Sequence, residues 1–140
     1  MALWKPVCFI LESIVAKTDL LLARVSAFSA AQAEQLDAFS GFRPPKISLR
    51  NYLRRIWQNF HCSPSCFVLA LVYIDRLTQN NEKLLVSSYN IHRIVLTSVV
   101  VAAKFHDDEY YSNTHYAYIG GISCYELTRL EMLFTEMVNF

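Results

Sequence analysis

Residues 91–105, Ile-His-Arg-Ile-Val-Leu-Thr-Ser-Val-Val-Val-Ala-Ala-Lys-Phe, constrain the fold of this chain more than any other segment. Between Arg93 and Lys104 the run holds no charge and no turn residue. Its valines suit a buried strand, but its fifteen residues far exceed the usual strand of about 5–6 residues and require a helix. A helix apolar on every face belongs at the centre of a helical domain, covered by other helices. The chain of 140 residues is long enough to supply them as one domain with a real core. Only three glycines and four prolines occur, which excludes disorder and a turn-rich all-β architecture.

The covering helices can be read from caps and spacing. Pro6 is placed to open a helix whose apolar stripe is Val7, Ile10, Leu11, Ile14, Leu21, Leu22 and Val25, with Thr18-Asp19 as a point where it could divide in two. Residues 26–38 are alanine-rich and weakly amphipathic, and Ser40-Gly41-Phe42-Arg43-Pro44-Pro45 breaks the chain. An N-terminal helical extension and linker, 1–44, and a main domain, 45–140, follow from that break. Ser48 caps a helix with Leu49, Tyr52, Leu53, Ile56, Trp57 and Phe60 on one face. Ser63-Pro64 starts the next helix, whose stretch from Cys66 to Leu77 is apolar nearly all round and is expected to be buried on most sides. Ser88 or Asn90 opens the central helix. A short helix from Asn113 to Ile119 stops at Gly120-Gly121. Ser123 with Glu126 is a capping box, opening a last helix with Leu127, Leu130, Leu133, Phe134, Met137 and Val138 on one side.

Thirteen basic and twelve acidic side chains give a net charge of +1. That excludes a bulk electrostatic case for nucleic acid or an anionic membrane. Charged residues make up only 18% of the chain, so its surface is expected to include an apolar patch that another protein covers. The longest nearly uncharged run, Ile94 to Ala103, is far short of the ~20 residues of a membrane span. The opening residues combine an early lysine and proline with a glutamate inside the apolar run, unlike a signal peptide. The four cysteines are therefore expected to be reduced thiols of an intracellular chain. No Gly-rich phosphate loop and no nucleophile with its base is signalled, so the chain is not read as an enzyme.

Several segments together resemble the cyclin box. Residues 63–77, Ser-Pro-Ser-Cys-Phe-Val-Leu-Ala-Leu-Val-Tyr-Ile-Asp-Arg-Leu, look like its second helix, and Val101-Ala-Ala-Lys-Phe105 like the end of its third. Tyr116-Ala117 through Gly120-Gly121-Ile122-Ser123, then Glu126-Leu127 and Leu130-Glu131, look like helices four and five. Pro45 to Ser48, Tyr52-Leu53, the Cys62–Cys66 turn, Asn90-Ile91-His92-Arg93 and the double glycine resemble one branch: the single-box cyclins of the plant U-type (P-type) and yeast phosphate-signalling class.

The resemblance implies an all-α fold, a five-helix cyclin box over 45–140 with one or two additional N-terminal helices. It implies a non-catalytic regulatory subunit that binds and activates a cyclin-dependent protein kinase by packing against its PSTAIRE-type helix. The family's lysine at the end of helix three and glutamate in helix five, which hydrogen-bond the kinase backbone, map onto Lys104 and Glu131. Phe105, Leu127 and Tyr110 are candidates for the apolar contact. No cofactor or metal is implied, the expected location is cytoplasm and/or nucleus, and the apolar face is expected to self-associate when the kinase is absent. The Met-Arg-Ala-Ile-Leu string of many cell-cycle cyclins is missing from Ile47–Leu53, which argues against that style of substrate docking. The alternative is a cyclin-box transcription or adaptor scaffold without a kinase.

Plainer readings stand beside these. Lys104 could lay its stem on the core and reach water with its charge, and Glu131 could simply pair with Arg129. Asp75-Arg76 reads as a structural ion pair with the first box helix. His61, Cys62 and Cys66 lack the paired spacing of a zinc site. His106-Asp107-Asp108-Glu109 reads as a solvated loop, His92 and His115 as surface or capping residues, and Arg50, Arg54 and Arg55 as a solvated helix face.

Overall fold

A computed structural model describes residues 2–24, 38–41 and 43–139 and, among these, six α-helices and no strand. They are α1 (Trp4–Arg24), α2 (Leu49–Phe60), α3 (Ser65–Asn80), α4 (Ile91–His106), α5 (Asn113–Gly120) and α6 (Cys124–Val138). The alanine-rich residues 26–37 lie outside the described residues.

The central position of α4 follows from its apolar run. Twelve of its sixteen residues are buried, and α2, α3, α5 and α6 all pack on it. Each fully buried valine or leucine contributes about 1.5–3 kcal/mol relative to an exposed one. Its two buried hydroxyls need no outside partner: Thr97 Oγ1 donates to the Arg93 carbonyl at 2.7 Å and Ser98 Oγ to that of Val95 at 2.9 Å.

Helix α2 buries Leu49, Tyr52, Leu53, Ile56 and Phe60, and Ser48 caps it by accepting the Asn51 N–H at 3.1 Å. Helix α3 differs from expectation. It buries one face only, Cys66, Phe67, Ala70, Ile74 and Leu77, and leaves Val68 and Val72 exposed. The reason is position: α3 packs on α4, α6 and α1, and its remaining side has no covering helix among the described residues. Its start also differs, since Ser63 lends no side-chain cap and donates its own N–H to Asp107 Oδ2 at 2.8 Å.

Helix α1 runs unbroken through Thr18-Asp19. Pro6 falls in its first turn, where its missing N–H has no intrahelical partner to lose. Only the first half of its stripe is buried, as Trp4, Val7, Cys8 and Leu11; Ile10, Ile14 and Leu21 are exposed. Beyond Leu11, Glu12 pairs with Arg50 and the Asp19 carboxylate accepts the Ser88 N–H at 3.1 Å. The Ser40–Pro45 break separates α1 from the later helices along the chain, yet Trp4, Leu11 and Phe39 share one core with Leu53, Val99 and Phe134. Phe39 is fully buried, with its ring edge-on to Phe134 at 6.3 Å.

Candidate functional site

Two of the five candidate binding residues, Lys104 and Glu131, meet where α4 ends. Lys104 stands in the last turn of α4, where the helix dipole favours a cation. Its Nζ lies 2.9 Å from Glu131 Oε1 and 3.0 Å from Oε2, so the last turn of α4 is tied to the middle of α6. Both side chains are largely withdrawn from water, 23% and 18% exposed, so the pair is stronger than a surface salt bridge. Glu131 has Lys104, and not Arg129, as its partner.

A third residue completes the group and was not singled out from sequence. Asn113, first in α5, donates from Nδ2 to Glu131 Oε2 at 2.9 Å and to Thr128 Oγ1 at 3.2 Å. Its Oδ1 is buried without a hydrogen-bond partner among the described residues. In the sequence Asn113 reads only as a helix start, and nothing local ties it to Glu131 eighteen positions away.

Phe105, next after Lys104 in the chain, and Tyr110, in the loop that follows α4, are 64% and 55% exposed, as a contact surface requires. Leu127 is a correction. It is fully buried in the core with Leu130 and Phe134, because it lies on the inward side of α6, and it offers a partner no area.

Asp75 and Arg76 are a second correction. Among the described residues neither enters an ion pair; the Asp75 carboxylate accepts Gln79 Nε2 one turn later, at 3.0 Å, because both stand on the outer side of α3. The ties of α2 come from its arginines instead, which face solvent as expected but also reach neighbouring elements. Arg50 pairs with Glu12 of α1 at 2.8 Å, Arg54 lies over the Trp4 ring at 5.6 Å, and Arg55 donates to the Ile119 carbonyl at 3.2 Å.

The loop after α4 is also more than solvated. Asp107 Oδ2 accepts the Ser63 N–H at 2.8 Å and the Cys66 thiol at 3.6 Å. Partial burial alone would raise its pKa, but these donors hold the carboxyl below its usual range. His92 is buried, with Nε2 2.8 Å from the Ile47 carbonyl, rather than at the surface. His115 is half-buried and stacks its ring 4.2 Å from that of Tyr111.

The capping box of α6 is half made. Ser123 Oγ accepts the Glu126 N–H at 3.0 Å, but Glu126 turns away to Arg93 Nε of α4, at 2.7 Å. Among the described residues no group of His, Cys, Asp and Glu is arranged to hold a metal ion, and no helix is long and apolar enough to cross a membrane.

Comparison with known proteins adds the following. A family model described as Cyclin matches residues 7–140. Cyclin-U4-1 of Arabidopsis thaliana is 43% identical over 137 residues, which cover 94% of this chain and 68% of that protein. Cyclin-P4-1 of Oryza sativa subsp. japonica is 40% identical over 136 residues, covering 91% of this chain and 64% of that protein. Cyclin-U4-3 of Arabidopsis thaliana is 39% identical over 140 residues, covering 99% and 64%. The chain thus spans about two thirds of the length of these curated relatives.

Proposed function

The chain belongs to the cyclin family, whose members are regulatory proteins and not enzymes, and from that premise we propose that it binds and activates a cyclin-dependent protein kinase. The contact is the face around Lys104, Glu131, Phe105 and Tyr110, set against the kinase's PSTAIRE-type helix. The observation that carries this reading is the Lys104–Glu131 pair at 2.9 Å, with the exposed rings of Phe105 and Tyr110 close after Lys104 in the chain. The pair offers both a charged donor and a charged acceptor to a partner's backbone, and each makes a stronger hydrogen bond than a neutral group. The rings supply apolar area and lose little side-chain entropy on contact.

Activation is then a population shift. The cyclin binds the arrangement of the kinase in which its Lys–Glu ion pair is complete better than the arrangement in which it is broken. Leu127 has no place in this contact, being fully buried. The near-neutral charge favours a protein partner over nucleic acid.

The test is co-expression with the cyclin-dependent kinases of the same organism, measuring capture and phosphotransfer to a generic substrate. Wild type is expected to capture and switch on one kinase. The Lys104→Ala, Glu131→Ala double variant is expected to lose both effects while its circular dichroism stays helical. Capture that survives the double substitution moves the interface elsewhere. The absence of capture by any such kinase moves the weight to a scaffold role.

A further inference from the structure

The linker between α2 and α3 places two thiols side by side, and we propose that Cys62 and Cys66 are a modification site: a thiol pair that a hydroperoxide converts reversibly into a disulfide. Helix α2 ends on His61 in the left-handed region, at φ 52°. The chain then turns through Ser63-Pro64, and the Cys66 N–H donates to the Ser63 carbonyl at 2.9 Å. That turn folds Cys66, in the first turn of α3, back toward Cys62: both pack with Ala102 and Ala103, and one oxygen, Asp107 Oδ2, takes the N–H of Ser63, next to Cys62 in the chain, at 2.8 Å and the Cys66 thiol at 3.6 Å. Two cysteines are bridged without moving the backbone only when the chain brings them together.

The two thiols differ in exposure. Cys66 is fully buried against Ala102 and Ala103 of α4. Cys62 packs on the same cluster but is only half-buried. Their acidities differ in the matching sense. The Cys66 thiol lowers that of Cys62, against its own burial and the nearby Asp107 charge. Cys62 and burial raise the thiol of Cys66. The Cys66 S–H donates to the Asp107 carboxylate at 3.6 Å. Cys62 is therefore the thiol that meets solvent, and Cys66 the sheltered thiol that resolves it.

The chemistry balances. The Cys62 thiolate attacks one oxygen of the hydroperoxide, the O–O bond breaks, and the other oxygen leaves as alkoxide or hydroxide and takes a proton. Cys62 is then a sulfenic acid. The Cys66 sulfur attacks the Cys62 sulfur, the S–O bond breaks, and water leaves with the Cys66 proton. The two sulfurs have given up two electrons and the hydroperoxide has accepted them. A small thiol reductant reverses the bridge by exchange. The remaining cysteines are poorly placed for this. Cys8 is fully buried, and burial with the Glu12 charge pushes its thiol up to about 11. Cys124 is exposed, with the Thr114 hydroxyl at 3.6 Å and no thiol neighbour among the described residues.

The test uses the whole chain, reduced and freed of reductant, treated with hydrogen peroxide and then with iodoacetamide. The tryptic peptide from Ile56 to Arg76 holds both cysteines. It is expected to lose two hydrogen atoms, to take up no iodoacetamide, and to regain both thiols with dithiothreitol. In Cys66→Ser the same treatment is expected to leave a sulfenic acid on Cys62 that dimedone labels. A peptide with Cys62 as sulfinic or sulfonic acid and Cys66 alkylated overturns the proposal. So does a peptide left unoxidised, or a bridge from either thiol to Cys8 or Cys124. The wild-type map decides the matter even where Cys66→Ser does not fold, and no arm depends on a kinase.

Discussion

His92 shows at the scale of one side chain how a polar residue can belong to the core. Its ring packs 5.0 Å from that of Tyr52 and its Nε2 lies 2.8 Å from the Ile47 carbonyl. A carbonyl only accepts, so Nε2 carries the proton and Nδ1 is left as an acceptor, buried without a partner among the described residues. A second proton would bury a charge. Burial holds the pKa below its ordinary 6.5, the Ile47 carbonyl opposes this, and the Arg93 charge adds to it. As pH falls through 6.5, the unfolded chain therefore takes the proton before the folded one does. The contribution of His92 is whole above 6.5 and is lost as pH falls toward the folded value. The expected slope is up to about 1.4 kcal/mol per pH unit in that window. Urea midpoints measured above and below pH 6.5 check it, and His92→Gln is expected to flatten the difference. This placement was not legible in the sequence. In a helix apolar all round, periodicity does not say which side its few polar residues face, and His92 beside Arg93 reads as a polar end.

At the scale of elements, the double glycine that ends α5 combines two different requirements. Gly121 takes φ 72°, and a Cβ there would meet nothing within 4 Å. Gly120 has ordinary backbone geometry, but a Cβ there would overlap Leu96 Cδ2 and lie 2.8 Å from Cδ1, so α5 can approach α4 only through a bare Cα. Tyr52 of α2 fixes the same joint by donating to the Gly120 carbonyl at 2.7 Å. Gly121→Ala is expected to cost about 1–2 kcal/mol from backbone conformation alone. Gly120→Ala is expected to cost about 1–3 kcal/mol from overpacking. A double-substitution cycle with Leu96→Ala separates them, since it should relieve the cost at Gly120 and leave the cost at Gly121 unchanged. The pair was legible as a helix stop, because glycine at that position is a backbone signal. The contact with Leu96 was not, since it depends on how two helices cross. The same limit explains α3. Its composition shows that it is apolar, but Val68 and Val72 are exposed because of which neighbours it has, and neighbours are a tertiary fact.

For the whole molecule, the central α4 makes five helices answer to one core, and α1 joins that core across a break in the chain. Leu11→Ala is expected to destabilise by about 2–5 kcal/mol, because it removes fully buried volume. Glu12→Gln, one residue on, is expected to change stability by less than about 1 kcal/mol, since its bond to Arg50 is exposed to water and salt. Denaturant unfolding by fluorescence and by circular dichroism checks both, and the two probes should coincide in one transition. The helical architecture was legible from the apolar run of α4, and Lys104 and Glu131 from the resemblance. Their mutual pairing, Asn113 and the burial of Leu127 depend on how α4, α5 and α6 meet. That meeting has an effect away from the surface as well. Lys104 and Glu131 cancel each other at 2.9 Å in a chain of net charge +1. From a distance the pair itself adds almost no field, because a short dipole fades within the salt screening length of about 8–10 Å. The pair therefore does not steer a partner's approach, and its discrimination begins only once the two surfaces touch.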